Sequence, residues 1–295
     1  MESFGYSLLF GGTAEVISKT LTAPIERVRI LLQTQNISTQ ISADKKYKGI
    51  LDAFVRIKNE QGVLAFWRGN WVNLVRYFPT QSLNFAFKDT YNQLLLPKNV
   101  KKEKISTIEY QLRFLLSGGL AGATVLLGTY PLDLIRTRIT VDIEKTGATR
   151  YSGIYNCAKS IYHTEGGMRG LYKGFGIAVC GIFVYRAVFF GGHDIFKNAF
   201  LSPDSSYTVK YLVAYSSTIT AACIGYPFDT TKKYMHLRAG GSDKIFNSSI
   251  DCVKKIFKQY GPAGFYRGFY ASVIRSIGGG LTLFLYDEAK HYVTA

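Results

Sequence analysis

Two stretches of the chain carry no charged residue, residues 114–132 and 211–228, of 19 and 18 residues. Each is close to the roughly 20 residues that an α-helix needs to cross a bilayer. Four further apolar stretches are interrupted by charge. Residues 4–32 hold Glu15, Lys19, Glu26, Arg27 and Arg29, and residues 71–96 hold Arg76, Lys88 and Asp89. Residues 175–200 hold Arg186, Asp194 and Lys197, and residues 269–293 hold Arg275, Asp287, Glu288 and Lys290. Hydropathy alone therefore gives two firm spans and four doubtful ones, which also fit a soluble helical protein with buried cores. Between the apolar stretches lie polar segments near 50–60, 154–165 and 250–259. Their apolar residues recur every three or four positions, as in an amphipathic helix. Met1 is followed by Glu2, not by a basic segment, so no cleavable secretory signal is expected.

Internal repetition resolves the doubtful spans. Pro24-Ile25-Glu26-Arg27-Val28-Arg29 returns as Pro131-Leu132-Asp133-Leu134-Ile135-Arg136 and as Pro227-Phe228-Asp229-Thr230-Thr231-Lys232. The shared pattern is proline, any residue, an acid, two residues, a base, at separations of 107 and 96 residues. A second motif, aromatic or Leu-aromatic, then base and glycine, follows each one. It reads Phe66-Trp67-Arg68-Gly69, Leu171-Tyr172-Lys173-Gly174 and Phe265-Tyr266-Arg267-Gly268, at separations of 105 and 94. One such motif is uninformative; two motifs moving together three times define a repeat of long helix, surface helix, long helix. The expectation is an all-α membrane protein with six transmembrane helices in a pseudo-threefold bundle and three short amphipathic helices on one side. The repeats divide as 1–100, 101–203 and 204–295.

This arrangement resembles the mitochondrial carrier family over nearly the whole chain. Within it the similarity is greatest to the ADP/ATP carriers, through Ser18-Lys19-Thr20 ahead of the first motif, the segments 41–50 and 76–89, Gly181-Ile182 with Tyr185-Arg186-Ala187, and Tyr286-Asp287-Glu288. The resemblance departs in the third repeat, where Lys232-Lys233-Tyr234-Met235-His236-Leu237 stands in place of three arginines and a methionine run. It also departs at Glu15, at Gly225 and at Gln259, whose sister positions are Glu60 and Glu165.

Charge at membrane depth is costly, so these side chains face one another or a water-filled cavity. Three acids and three bases form a ring closing one end of the cavity. The family pattern pairs Glu26 with Arg136, Asp133 with Lys232 and Asp229 with Arg29, as a matrix gate to which Gln33 also belongs. A second ring lies near the ends of the even helices. There the resemblance implies a cytoplasmic gate of Asp89, Asp194, Lys197, Tyr286, Asp287 and Lys290, with Asp89–Lys197 and Asp194–Lys290 as pairs. Asn92 occupies a base position, which leaves Asp287 without a cation and the gate one pair weaker.

Bases that break the threefold pattern serve an asymmetric ligand. Arg76 and Arg275 fall seven residues after the motif glycines, where the second repeat has Gly181. Lys19 falls five before its proline, where the others have Leu126 and Ala222, and Arg186 answers to Gln81 and Gly280. These four bases form an off-axis cluster suited to a polyanion, because Arg forks grip phosphate at two points and Lys adds a point charge. Glu15, four residues before Lys19, pairs with it on one helix face and lowers the cluster's effective charge. Opposite them, Gly181, Ile182 and Tyr185 form an apolar slot for adenine. The helix starts at Arg68-Gly69, Lys173-Gly174 and Arg267-Gly268 suit phosphate groups of lipid; the resemblance implies cardiolipin there, and interfacial anchoring is the plainer reading.

Composition then excludes the other classes. Lys+Arg number 36 against Asp+Glu 20, a net charge of +16, with 47% hydrophobic residues. The basic residues are spread through apolar helices rather than gathered on one exposed face, so a nucleic-acid partner is not expected. His163, His193, His236 and His291 have no metal spacing, and Cys157, Cys180, Cys223 and Cys252 form no CxxC, so neither an enzyme nor a metal site is indicated. Cys157 and Cys252 occupy equivalent repeat positions, which points to packing. The resemblance implies an antiporter of ADP and ATP in the mitochondrial inner membrane, or that of a mitochondrion-derived organelle, monomeric and without a cofactor. A carrier of the same fold for another anion or nucleotide, such as ATP-Mg with phosphate or a broader range of nucleotides, is the alternative.

Overall fold

A computed structural model of the chain describes residues 2–38, 41, 46–96, 107–143, 149–200, 206–237, 246 and 248–276. These residues are helical, with no strand among them. The long helices are α1 (Glu2–Thr34), α3 (Asn70–Leu95), α4 (Thr107–Val141), α7 (Phe175–Phe200) and α8 (Tyr207–Leu237). The start of a sixth, α10, covers residues 269–276. The surface helices are α2 (Ile50–Gln61), α5 (Ile154–Thr164) and α9 (Ser249–Tyr260). The described residues form an all-α arrangement in which long helix, surface helix and long helix recur three times.

The repeat contains one element that sequence periodicity did not reveal. A short helical turn, Val63–Trp67, α6 (Met168–Leu171) or Pro262–Tyr266, joins each surface helix to the next long helix. The base-glycine motif follows it. Gly69, Gly174 and Gly268 adopt φ of 80°, 81° and 78°, a left-handed conformation that a side chain resists. The long helix starts immediately afterwards.

Each surface helix turns two residues, four apart, into the protein: Ala53 and Ile57, Cys157 and Ile161, Cys252 and Ile256. Each pair joins a cluster with the lower half of its own odd helix. Burying an Ile there contributes about 2 kcal/mol. Burial also pushes the Cys157 and Cys252 thiols up to about 12, in keeping with packing rather than chemistry.

Two segments among the described residues, Glu109–Val141 and Met168–Lys197, are long and apolar enough to cross a membrane. The charge-free run 211–228 lies inside α8 but is not among them. Its Tyr, Ser and Thr residues dilute its apolarity, so freedom from charge overstated that span. The odd helices α1, α4 and α8 touch pairwise, closing a ring.

Candidate functional site

Pro24, Pro131 and Pro227 lie inside α1, α4 and α8, and the acids and bases that follow them converge. Arg136 Nη2 lies 2.6 Å from Glu26 Oε1, Lys232 Nζ 3.1 Å from Asp133 Oδ2, and Arg29 Nη2 2.9 Å from Asp229 Oδ2. Each pair links one repeat to the next, so the three close a circle. The i,i+3 pair within a helix occurs once, Lys232 with Asp229 at 3.8 Å, and is the longer of the two contacts Lys232 makes. Gln33 Nε2 donates to Thr230 Oγ1 at 2.7 Å, beside the Asp229 corner.

The glycine motifs close the same circle one layer away. A methyl group on Gly69 would strike Thr140 of α4, one on Gly174 would approach Met235 of α8, and one on Gly268 would come within 2.9 Å of the Arg29 carbonyl of α1. Glycine at these positions lets the start of each even helix sit against the odd helix of the next repeat. The bases beside them also hold neighbours: Arg68 donates to the Asp142 carbonyl, Lys173 to Glu165, and Arg267 to Asn36 Oδ1 at 2.6 Å.

Several residues that sequence reasoning passed over support this layer. Lys233 donates to Asp229 Oδ2 at 2.8 Å and to Gln33 Oε1 at 2.6 Å, so with Arg29 and Lys232 the Asp229 corner holds three bases on one carboxylate. Its sister positions are Ile30 and Thr137, and an unrepeated base four residues after a ring acid was the available signal. Arg138 makes a two-point pair with Glu165, its Nη2 2.8 Å from Oε2, and its Nε donates to the His236 carbonyl. His236 is wedged between Tyr130 Oη at 3.0 Å and Thr137 Oγ1 at 3.2 Å, tying α8 to α4. Arg27 is fully buried and donates to the carbonyls of Ala65 and Thr140 and to Gln61.

Above the ring lie adjoining chambers. The larger, about 740 Å³, is lined on one side by Gly181, Ile182, Tyr185, Arg186 and Phe189 and by Arg275. The smaller, about 370 Å³, is polar and contains Lys19, Arg76 and Arg275 with the ring residues. The two chambers share Arg29, Leu126, Asp229, Lys232 and Arg275 as walls, and the four unrepeated bases are distributed between them. Lys19 and Arg76 sit in the polar chamber, Arg186 in the apolar one, and Arg275 lines both. Nor is the apolar slot opposite Arg186; it shares α7 with it. Arg186 lies over Gly118 and Gly122 of α4, where a methyl group would displace its guanidinium.

Tyr185 begins an aromatic column on α7. Its ring is parallel to that of Phe189 at 6.2 Å, and Phe189 is parallel to His193 at 6.3 Å. Phe189 was not picked out from the sequence, though its spacing of four residues from Tyr185 was visible. The Nε atoms of Arg76 and Arg275 are buried and make no hydrogen bond among the described residues. Arg76 instead reaches Asp133 at 3.9 Å. Lys19 is paired with Glu15, as its spacing predicts.

At the opposite end, Asp89 and Lys197 are both exposed and form no ion pair with each other. Asn92 accepts a hydrogen bond from Ser117 Oγ at 2.5 Å. Tyr286, Asp287, Lys290 and the side chain of Asp194 lie outside the described residues.

The described helices are thus joined at the proline end by inter-repeat ion pairs, above which lies a cation-lined chamber. The sequence profile of the mitochondrial carrier protein family matches residues 1–99, 110–204 and 203–295; the chain belongs to that family, whose members are transporters and not enzymes. It is 46% identical over 294 residues to ADP/ATP translocase 2 of Rattus norvegicus, covering 98% of both chains. It is 46% identical over 295 residues to ADP/ATP translocase 3 of Homo sapiens, covering 99% of this chain and 98% of that one. A mitochondrial substrate carrier family protein of Dictyostelium discoideum is 47% identical over 293 residues, 98% of this chain and 94% of the relative.

Proposed function

We propose that the protein exchanges ADP for ATP across the mitochondrial inner membrane, as a monomer, through one central site reached alternately from either side. The observation that carries this reading is Arg275. It lines both chambers and keeps a buried donor unused by the described residues. A nucleotide laid across it puts phosphates beside Lys19 and Arg76 and its base in the apolar slot formed by Gly181, Ile182 and Tyr185, with Arg186 at the edge. The relatives named as ADP/ATP translocases support the same choice of anion.

In the mechanism, Glu26–Arg136, Asp133–Lys232 and Asp229–Arg29 act as the matrix gate. The substrate's greater affinity for the intermediate between the two open forms offsets the disruption of these pairs. Without substrate that offset is missing, so transport is strict exchange. Cardiolipin bound at the helix starts after Arg68-Gly69, Lys173-Gly174 and Arg267-Gly268 would steady the hinges where repeats meet.

Purified protein in liposomes tests this. Labelled ADP should enter vesicles loaded with ADP or ATP and not empty ones. Uptake into empty vesicles, or preference for a non-nucleotide anion in a substrate panel, would overturn it.

A further inference from the structure

One carboxylate in the cation-lined chamber is not part of the ring. Glu15 lies on α1 one turn before Lys19 and lines both the polar chamber and a recess of about 250 Å³ shared with Lys19, Arg76 and Tyr77. Its counterparts nine residues ahead of the other motif prolines are Gly122 and Thr218, neither of them charged. Glu15 therefore breaks the threefold pattern in the same way as the bases assigned to the substrate.

Its surroundings give it two effects on an incoming anion. Its carboxylate is paired with Lys19 Nζ, and that ammonium also lies 5.2 Å from the centre of the Tyr77 ring. An anion must compete with Glu15 for Lys19, which weakens all anions. Glu15 also repels the anion in proportion to its charge, which weakens the more highly charged one further. Both side chains of the pair are about a quarter exposed, 23% each, and both line the chamber, so water screens the repulsion only in part. Bases alone would favour a triphosphate over a diphosphate. An acid among them narrows that preference, which suits a carrier that must bind and release both.

We propose that Glu15 is a specificity-determining residue that offsets the chamber's preference for the more highly charged polyphosphate. This builds on the nucleotide reading above, but the effect depends on ligand charge and not on the adenine ring.

The test uses the full chain and the variants Glu15→Gln, close in shape but neutral, and Glu15→Asp, which keeps the charge. Binding of ATP, ADP, inorganic tripolyphosphate and pyrophosphate is measured without magnesium at low ionic strength, and melting temperature reports folding. Glu15→Gln should strengthen ATP about tenfold and ADP about threefold, a charge-graded shift that shrinks in high salt. Glu15→Asp should leave the ATP-to-ADP ratio within about twofold of the parent. An equal shift for both ligands, no shift, or the same ratio change in Glu15→Asp would overturn the proposal. If Glu15→Gln shifts tripolyphosphate over pyrophosphate while no form binds adenine nucleotides, the nucleotide reading falls and the role of Glu15 stands. If nucleotides bind and the ratio is unmoved in both ligand pairs, the role of Glu15 falls and the nucleotide reading stands. If no polyphosphate binds, both fall.

Discussion

In the ring, each carboxylate finds a base on the neighbouring repeat, Glu26 with Arg136, Asp133 with Lys232 and Asp229 with Arg29, and Asp229 also holds Lys233 of its own helix. In the chambers just above, Arg76 and Arg275 are also largely buried, and the Nε of Arg29, Arg76 and Arg275 alike has no hydrogen-bond partner among the described residues. What separates the layers is the ion pair, close for every base of the ring, long for Arg76 at 3.9 Å from Asp133 and absent for Arg275 among the described residues. A completed buried pair sets register and contributes modestly to stability, whereas losing one partner is costly. A base whose donors are unused costs little to remove and should matter chiefly to a ligand. The two layers should therefore answer mutation in different measurements, stability for the first and transport for the second.

The largest effect is expected just beneath the ring, at Arg138. It and Glu165 are almost wholly buried, with 3% and 1% of their side chains exposed, and the arginine also holds the His236 carbonyl. Arg138→Ala leaves Glu165 with Lys173 at 3.4 Å as its remaining cation. The variant should lose about 3–5 kcal/mol of stability, read as a lowered melting temperature in detergent. Transport per folded molecule should change little. A variant that melts like the parent would show that the layer is not completed as described.

Arg275→Ala is the converse. It removes a base that lines both chambers and breaks no ion pair among the described residues. Exchange in liposomes should fall by about 100-fold, equivalent to roughly 2.7 kcal/mol of lost substrate or transition-state binding. The melting temperature should stay within about 2 °C of the parent, because the mutation unmakes no native contact of the ring. Loss of stability on the scale of Arg138→Ala would erase the distinction between the layers.

How far the sequence foretold each layer follows from the same difference. The ring was legible because threefold symmetry makes its members equivalent: three copies of one motif must meet around one axis. The glycine starts at Gly69, Gly174 and Gly268 were legible for the same reason. Residues without sister copies were harder. Lys233 looked like one of a divergent run, and nothing local says that it turns inward onto Asp229. Arg138 and Glu165 are 27 residues apart, with Leu31 and Tyr234 at the arginine's sister positions, so no repeat connects them. Equivalence by counting gives a residue's depth along the axis but not how the space around the axis is divided, so the arrangement of the four unrepeated bases over two adjoining chambers was not legible. The apolarity of α8 was overstated because absence of charge was counted and hydroxyl content was not.

The smallest expected effect is at the end opposite the ring, where the contrast between paired and unpaired groups can be altered by one side chain. Asn92 stands where the repeat pattern has a base, and its Oδ1 accepts from Ser117 of α4, an attachment within the α3–α4 pair rather than across the axis. Asn92→Lys exchanges that bond for a mobile cation on a partly exposed surface. An added ion pair in so wet a position is worth up to about 1 kcal/mol. It would stabilise the form in which this end is shut, and so oppose the form described here, whose ring is closed. The melting temperature should move by no more than about 2 °C in either direction. The exchange rate should fall by up to about fivefold at low ionic strength, and the effect should fade in high salt, as a screened pair requires. An unchanged rate at all salt concentrations would show that the missing base is without consequence for opening and closing, and that the ring at the proline end alone sets the balance.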